Sequence, residues 1–336
     1  MKMSKAKQLQ EKLVETAEPV NTFIESLLMD RKPSQLYEAS RHIINAGGKR
    51  LRPFLTIKSC EAAGGKKKDA IPFAAALEIL HNFTLVHDDV MDHDVLRRGK
   101  PTVHATYGEP MAILAGDLLF AKVYQSVLDY APAHLSSDDV VLALQKMTDA
   151  IIVLCEGQAL DVSFPKATDV SEDDYIFMIG AKTSALFKAC AEVGAIAAGA
   201  TSETINSLGS FAWDSGIAFQ IVDDILGITA DESKLGKPVG SDIREGKKTI
   251  IMIHALKNAN DEQLKILMDG MKGEKSTHKE IESAVQVLKK LGSIDYARSE
   301  AARYLENAVK SIENLEDTAA KKQLIELVNY FVQRDY

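Results

Sequence analysis

The chain has 336 residues, of which 46% are hydrophobic and 26% charged, and its formal net charge is −8. These values describe an ordinary soluble globular protein that is long enough to bury a sizeable core. The negative charge and the lack of a long basic stretch argue against nucleic acid as a partner. Three widely spaced cysteines favour reduced thiols, and the start of the chain lacks the apolar core of a signal peptide. We therefore expect a cytoplasmic protein without a membrane span.

Helical periodicity covers most of the chain, and no convincing alternating strand pattern is present. Stop signals and apolar spacing predict helices from Ser4 to about Met29 with a bend near Pro19, from Ser34 to Ala46, from Ile71 to the acidic residues after Val86, over roughly 110–130, 136–162, 171–200 and 202–227, and through the last third from Thr249. No domain linker, internal repeat or low-complexity tract interrupts this pattern. The sequence predicts an all-α fold with a single domain over residues 1–336.

Four carboxylates fall within residues 88–94, which read Asp-Asp-Val-Met-Asp-His-Asp and follow an apolar run directly. On a helix, Asp88 and Asp92 lie one turn apart, and Asp89 and Asp92 have the other same-face spacing, so their oxygens converge. Carboxylates at the C-terminal end of a helix are unfavourable with respect to the macrodipole. This placement requires a cation, and Mg2+ is the hard cation that best suits such oxygens.

A second acidic pair, Asp223 and Asp224, closes another apolar helical stretch, which begins at Gly216 and contains Gln220. Two facing acidic patches would hold several metal ions between them. The first cluster does not have the ligand spacing, central Gly and final Glu of an EF-hand loop. Zinc is not favoured either, because the histidines near the first cluster form no recognisable ligand spacing with cysteine.

The basic run Lys49-Arg50-Leu51-Arg52-Pro53 follows Gly47 and Gly48 and has two interpretations. It is either a solvated helix start with Pro near its first turn, or an anion site in which the glycines allow close approach and Lys49 and Arg52 supply charge-assisted bonds. It is not a Walker A loop, because the required spacing is missing. Arg97 and Arg98 likewise either neutralise the nearby acids or bind a phosphate-rich ligand.

Other polar groups lie on otherwise apolar predicted helices. They are Gln158 and Asp161 on one helix and Lys182 and Thr183 on the next. Each of these alone is more often a satisfied buried polar group or a surface residue than a functional one. The charged loop after Asp224 is long enough to act as a lid.

These motifs occur in one order along the chain: Gly47-Gly48-Lys49-Arg50-x-Arg52-Pro53, Asp88-Asp89-x-x-Asp92 with Arg97-Arg98-Gly99, Gly157-Gln158-x-x-Asp161, Lys182-Thr183, and Gly216-x-x-x-Gln220-x-x-Asp223-Asp224. Together they resemble the trans-isoprenyl diphosphate synthases, over residues from about 35 to 250. The resemblance implies an all-helical prenyl synthase fold, a homodimer, and a deep cavity with the two aspartate motifs on opposite walls. It also implies a prenyltransferase that condenses isopentenyl diphosphate with dimethylallyl, geranyl or farnesyl diphosphate.

The same resemblance implies a role for each motif residue. The metal ligands would be Asp88, Asp92 and Asp223, supported by Asp89, Asp161 and Asp224. The allylic diphosphate would be held by Arg97, Lys182, Lys237 and Lys247. Isopentenyl diphosphate would be received by Gly48, Lys49, Arg52, His81 and Arg98. Thr183 and Gln220 would face the developing allylic cation.

One departure from the family pattern concerns the second acidic motif, where Gly227 stands at the position at which many members carry a third acid. Asp231 would substitute only if the helix continues. A farnesyl or longer-chain polyprenyl diphosphate synthase is an alternative within the same family. Two other functions share some of these motifs: a terpene cyclase, which has no need of the isopentenyl residues Lys49, Arg52 and Arg98, and a non-catalytic partner subunit, which has no need of intact metal ligands.

We expect a prenyl tail that grows away from the metals to run along the helix before Asp88. Thr84 lies one helical turn before Asp88 and shares its face, whereas geometry alone leaves Phe83 open between core packing and the floor of a tail pocket. An aromatic residue at Phe83 followed by a small residue resembles archaeal-type geranylgeranyl diphosphate synthases. That resemblance implies geranylgeranyl diphosphate as the main product, with some farnesyl diphosphate released.

Overall fold

The computed structural model describes residues 5–167, 169–229 and 240–332, and these residues are almost entirely helical. The predicted all-α fold is confirmed. The chain divides into two compact units. The first comprises the residues up to Asp149, Ala189–Gly209 and Asn314–Glu326, and the second comprises Ala150–Lys188, Ser210–Glu313 and the residues from Leu327. The single domain over residues 1–336 stays a prediction.

The helices and strands in the first half of the chain begin and end as follows: α1 Lys5–Leu27, α2 Ser34–Asn45, α3 Leu51–Ala62, α4 Lys67–Met91, β1 Leu96–Arg97, β2 Lys100–Pro101, α5 Val103–Tyr107, α6 Glu109–Tyr130 and α7 Ser137–Ser163. The later elements are a 3-10 turn Phe164–Lys166, α8 Glu172–Ile179, a π turn Gly180–Ser184, α9 Ala185–Ala197, α10 Ser202–Thr229, α11 Ser241–Arg244, α12 Ile250–Asn258, α13 Asp261–Gly270, a 3-10 turn Gly273–Lys275, α14 His278–Lys290, α15 Ser293–Ser311 and α16 Ala319–Val332.

Helix α4 is the central helix of the first unit and packs against α1, α3 and α6. Its side chains are fully buried over a continuous stretch from Phe73 to Ala76, which is typical of a helix that is surrounded by others. It begins at Lys67, so the predicted start at Ile71 is wrong by one turn. Pro72 lies inside the helix, and its carbonyl accepts a hydrogen bond from Ser126 Oγ at 2.7 Å.

The end of α4 lies within the acidic cluster. His93 adopts the left-handed conformation, with φ 56°, and the Asp94 N–H donates to the Asp89 carbonyl at 3.1 Å. This pairing is that of a Schellman motif, which stops a helix and satisfies its last carbonyls. Asp88 and Asp89 therefore lie on the last turn of a buried helix and Asp92 is its C-cap residue, whereas Asp94 lies beyond its end.

A short hairpin follows α4 and is absent from the sequence prediction. Strands β1 and β2 pair antiparallel, with Leu96 opposite Pro101 and Arg97 opposite Lys100. The two-residue turn consists of Arg98 and Gly99, whose φ angles are 53° and 73°. Positive φ at both positions is the signature of a type I′ turn, whose twist matches that of the strands.

The second unit contains a separate hydrophobic core, to which α8, α10, α12 and α14 contribute. The predicted continuous helix over 171–200 is wrong in one place. A π turn at Gly180–Ser184 interrupts it. Such turns insert an extra residue and re-aim the side chains around them.

Two helices, Lys67–Met91 and Glu109–Tyr130, are long and apolar enough to cross a membrane by length and composition alone. Their most apolar windows are 72% and 44% buried within the protein, respectively. The core helix of a globular protein passes the same test, so this finding is weak evidence for a membrane span.

Candidate active site

The predicted anion loop connects α2 to α3 in the first unit. Gly48 has φ +134°, and a Cβ at this position would lie 2.7 Å from Arg98 Nη1. Glycine is favoured there, because other residues rarely adopt this backbone conformation and a Cβ would displace the end of the Arg98 side chain. The Arg98 guanidinium donates to the carbonyl of Gly47. The structure thus brings the glycine pair and Arg98 together, as expected for one diphosphate pocket.

His81 lies within a positively charged environment. Burial lowers the pKa of His81 well below its usual value, and the charges of Arg52, Arg98, Arg50 and Arg97 lower it further. The imidazole is therefore neutral at physiological pH and offers one N–H donor. Burial likewise lowers the pKa of Arg52, although a guanidinium remains protonated. Basic groups gathered around a neutral donor are suited to binding an anion.

Arg97 binds two members of the first acidic cluster. Its Nε donates to Asp89 Oδ1 at 2.5 Å, and its Nη2 lies 3.3 Å from Asp94 Oδ2. Asp89 is buried, Asp88 is half-buried and Asp92 is exposed. Burial raises the pKa of Asp89, and the charge of Arg97 opposes that shift. Arg97 thus neutralises Asp89 and Asp94. Its role as a diphosphate ligand stays a prediction.

The second acidic pair is arranged in a similar way. Asp223 is exposed, whereas Asp224 is buried and accepts hydrogen bonds from Tyr175 Oη at 2.7 Å and from Gln220 Nε2 at 3.0 Å. Burial and the nearby Asp242 raise the pKa of Asp224 to about 7. The hydrogen bond from Tyr175 to Asp224 could not be predicted, because no pattern in the sequence joins these two residues.

The donor set suits a hard cation, since every candidate ligand is a carboxylate. Within residues 5–167, 169–229 and 240–332, no three His, Cys, Asp or Glu side chains converge on one point. Mg2+ in phosphate-binding enzymes is commonly held by one or two carboxylates together with substrate phosphates and water. The residues present fit that mode of binding. Whether the two acidic patches face each other stays a prediction.

The π turn carries Lys182 and Thr183. Lys182 Nζ lies 2.5 Å from Asp161 Oδ2, and Thr183 Oγ1 donates to Gln220 Oε1 at 3.0 Å. A Cβ on Gly157 would lie 2.4 Å from the backbone nitrogen of Lys182, so glycine is required for α7 to approach this closely. The structure therefore pairs residues that lie far apart in the sequence, Lys182 with Asp161 and Thr183 with Gln220.

Asp242 lies beside the residue that departs from the family pattern. A Cβ on Gly227 would lie 2.9 Å from Asp242 Oδ2. Lys247 Nζ lies 3.2 Å from Asp242 Oδ1 and 3.1 Å from Glu245 Oε2. Asp242 therefore supplies a carboxylate where the motif lacks its third acid. Two features of the sequence could have predicted this placement: the glycine at position 227, where many family members carry an acid, and the aspartate at position 242, after the charged loop. Lys237 and Asp231 lie outside the described residues.

Phe83 belongs to an aromatic group that joins α4 to α6. Its ring centroid lies 5.2 Å from that of Phe120 and 4.8 Å from that of His87. The Thr84 hydroxyl donates to the His81 carbonyl at 2.8 Å. The contacts show core packing for Phe83, and its role in product length stays a prediction. Phe120 could not be predicted as the partner of Phe83, because periodicity on one helix does not identify a partner on another.

Comparisons with known proteins agree with the motif order. The chain matches the Polyprenyl synthetase family over residues 33–288. It is 46% identical over 298 residues to a geranylgeranyl diphosphate synthase from Sulfolobus acidocaldarius, with 89% of each chain covered. It is 40% identical over 310 residues to a geranylfarnesyl diphosphate synthase from Aeropyrum pernix, covering 91% of this chain and 96% of that protein. The crystal structure of geranylgeranyl pyrophosphate synthetase from Pyrococcus horikoshii superposes with a TM-score of 0.92 at 42% identity, covering 99% of this chain and 100% of the other. The chain therefore belongs to the polyprenyl synthetase family.

Proposed function

We propose that this prenyltransferase adds isopentenyl units to dimethylallyl, geranyl and farnesyl diphosphates and releases mainly geranylgeranyl diphosphate. The observation that carries the proposal is the common arrangement of the two acidic pairs. In each pair one carboxylate is buried and held by protein donors, Asp89 by Arg97 and Asp224 by Tyr175 and Gln220, while its neighbour is more exposed. We assign the cation to the more exposed members of the two pairs, Asp88 and Asp223.

We assign Asp88, Asp92 and Asp223 as Mg2+ ligands, with Asp89, Asp161 and Asp224 in support. When bound, Mg2+ acts as a Lewis acid that neutralises the departing diphosphate. Asp89 and Asp224 are held rigidly by their hydrogen bonds, which fixes the helix segments that carry the ligands. Neighbouring carboxylates on α4 and on α10 thus have different roles, one binding the metal and the other holding the helix in place.

Basic side chains would hold the allylic diphosphate during ionisation. We assign this role to Arg97, Lys182, Lys237 and Lys247. Lys182 is oriented by Asp161, and Lys247 is oriented by Asp242 and Glu245. Each ammonium group has three N–H donors, so contacts with one carboxylate at Lys182 and two at Lys247 still leave a donor for phosphate oxygens.

Thr183 and Gln220 would stabilise the allylic cation that forms when the carbon–oxygen bond breaks. Thr183 donates to Gln220, and Gln220 donates to Asp224, so the three groups form a polarised chain. The Thr183 oxygen donates its proton within this chain and keeps its lone pairs for a positive centre. Thr183 is buried, which limits the access of water to the cation.

Isopentenyl diphosphate would bind the basic group around the anion loop, formed by Gly48, Lys49, Arg52, His81 and Arg98. This pocket places a diphosphate on arginine and lysine, for which no metal is required. Its double bond then attacks the cation, a carbon–carbon bond forms, and a proton is lost to the released diphosphate. A separate isopentenyl pocket favours chain elongation over cyclisation.

We also propose that the protein is a cytoplasmic homodimer that associates through α6. This helix is strongly apolar, but its most apolar window is only 44% buried within the chain. Ile113, Leu114 and Leu128 are 46%, 53% and 64% exposed, respectively. An apolar helix face of this kind is typical of a protein–protein interface. Its oligomeric state can be measured by sedimentation of the purified protein, with Leu114→Glu as the variant expected to dissociate it.

The test of the proposed activity is incubation of the purified protein with labelled isopentenyl diphosphate, each allylic primer in turn, and Mg2+, followed by chromatography of the products. We expect a main product of twenty carbons. A main product of twenty-five carbons would instead identify the protein as a geranylfarnesyl diphosphate synthase. Cyclic products formed without isopentenyl diphosphate, or no turnover with any primer, would contradict the proposal.

A further inference from the structure

Arg50 stands between two residues of the proposed isopentenyl site, Lys49 and Arg52, but has no assigned role in it. It is the residue that precedes α3, and its backbone is left-handed, with φ 51° and ψ 39°. A non-glycine residue persists in this conformation only where its surroundings enforce it. Its side chain is only 9% exposed, so the guanidinium points into the protein.

The contacts of the Arg50 guanidinium explain how this conformation is enforced. The guanidinium donates four hydrogen bonds, to Asn21 Oδ1 at 3.0 Å, Gly47 O at 3.0 Å, Ile44 O at 2.9 Å and Glu78 Oε1 at 2.8 Å. These acceptors lie on α1, on the end of α2 and the loop after it, and on α4. One planar group therefore ties the loop to the neighbouring helices of the first unit.

Glu78 is the buried partner on which this arrangement depends. Its side chain is 3% exposed and forms an ion pair with Arg50. Asn82, one turn further along α4, donates to the same Oε1 at 3.2 Å. A buried carboxylate with two donors has a defined position, so the ion pair fixes Arg50 relative to α4, the helix that also carries His81.

The carbonyl of Gly47 joins Arg50 to the rest of the anion loop. It accepts from Arg50 Nη1 and from the Arg98 guanidinium. Arg50 therefore holds the loop in the position that Arg98 contacts. Because Lys49 and Arg52 flank Arg50 closely in the chain, its fixed backbone also sets the direction from which both approach a ligand.

We propose that Arg50 is a positioning residue for the isopentenyl diphosphate pocket, which it shapes through its ion pair with Glu78. The inference rests on the proposed function. A positioning role of this kind predicts selective damage, because the Arg50 guanidinium bonds to Asn21, Gly47, Ile44 and Glu78, none of which is assigned to the allylic diphosphate. The Michaelis constant for isopentenyl diphosphate should rise while that for the allylic diphosphate stays constant.

The experiment compares Arg50→Gln, Arg50→Gln with Glu78→Gln, and wild type. The single variant leaves a buried carboxylate without its cation and should lose thermal stability, whereas the double variant removes that charge and should recover it. We expect both variants to raise the Michaelis constant for isopentenyl diphosphate by about tenfold or more, which corresponds to about 1.4 kcal/mol of binding free energy. Turnover at saturating substrate and the allylic Michaelis constant should stay within about twofold of wild type.

A matched control is Arg41→Gln. Arg41 also binds a backbone carbonyl and a carboxylate, Leu28 O at 2.7 Å and Asp30 Oδ1 at 2.6 Å, but it lies outside the anion loop. Both Michaelis constants should be unchanged in this variant. Direct calorimetric titration of isopentenyl diphosphate into each protein provides a readout that does not require turnover.

Two results would overturn the positioning role. One is a stable double variant that binds isopentenyl diphosphate as wild type does, and the other is an equal rise in both Michaelis constants. Failure of the proposed function gives a different pattern. In that case wild type neither binds nor consumes isopentenyl diphosphate, or Arg52→Ala leaves its binding unchanged.

Discussion

Asp242 occupies the space beside Gly227, where a Cβ would come within 2.9 Å of its Oδ2. The two positions are therefore coupled, because a carboxylate at residue 227 and the present carboxylate at residue 242 compete for one space. We predict that Gly227→Asp alone lowers turnover at limiting Mg2+ by about tenfold or more, since two like charges meet at one point. Adding Asp242→Ser should restore at least part of that loss. Additive losses in the double variant would show that the two sites act independently.

The metal-ligand assignment predicts large effects at Asp88 and Asp223. Substituting either by Ala should lower turnover by about a hundred- to a thousand-fold, the scale of losing an electrostatic contact to the transition state. Neither side chain is fully buried, so thermal unfolding should change little. Glu11→Ala, which removes an exposed carboxylate from α1, is the matched control. Near-normal turnover of both variants at limiting Mg2+ would contradict the assignment.

The two arginines of the hairpin should each affect the Michaelis constant of a different substrate. Arg98→Ala should raise the Michaelis constant for isopentenyl diphosphate more than that for the allylic partner, because Arg98 contacts the anion loop. Arg97→Ala should show the opposite bias and should also lower thermal stability, because it leaves the buried Asp89 without its ion-pair partner. Steady-state kinetics with each substrate varied in turn measures both effects. An equal effect of each variant on the two substrates would mean that the pocket assignments are wrong.

The length of the product tests whether Phe83 forms the floor of the proposed tail pocket. Phe83→Ala removes a ring that packs on Phe120 and should lengthen the product. Thr84→Phe adds a ring one turn before Asp88 and should shorten the product towards farnesyl diphosphate. Chromatography of the dephosphorylated products measures both changes, with Leu9→Ala, a buried substitution on α1, as a control for general loosening of the core. An unchanged distribution in both variants would place the floor elsewhere.

Asp214 should make stability depend on pH. Burial raises the pKa of Asp214 from 3.8 to about 6, although Arg303 opposes the shift. The folded state then holds a proton that the unfolded state has released, so the free energy of unfolding should fall as the pH rises from about 4 to about 6. Asp214→Asn abolishes this contribution. Urea unfolding at pH 4 and pH 7 measures the free energy of unfolding of both proteins. The value for the variant minus that for wild type should be larger at pH 7 than at pH 4. An equal difference at the two pH values would contradict the prediction.

The sequence by itself determined the helical architecture and the identity of the motifs. Apolar spacing in windows of 11–18 residues reports which face of a helix is buried, and that is local information. The same locality explains why the end of α4 was predictable, since the acidic cluster and the apolar run before it are adjacent in the chain. The order of the motifs was sufficient to identify the family.

The tertiary structure alone decided which charged groups meet. Arg97 binds Asp89, Arg50 binds Glu78, and Asp242 lies beside Gly227. Each pairing depends on where a turn or a neighbouring helix brings a side chain, and an error of one residue in a turn re-aims every group after it. The π turn and the left-handed Arg98 are such features, because packing against neighbours stabilises backbone conformations that local propensity disfavours. The sequence therefore specifies which charged residues are present and in what order, whereas long-range packing decides which of them pair in the folded protein.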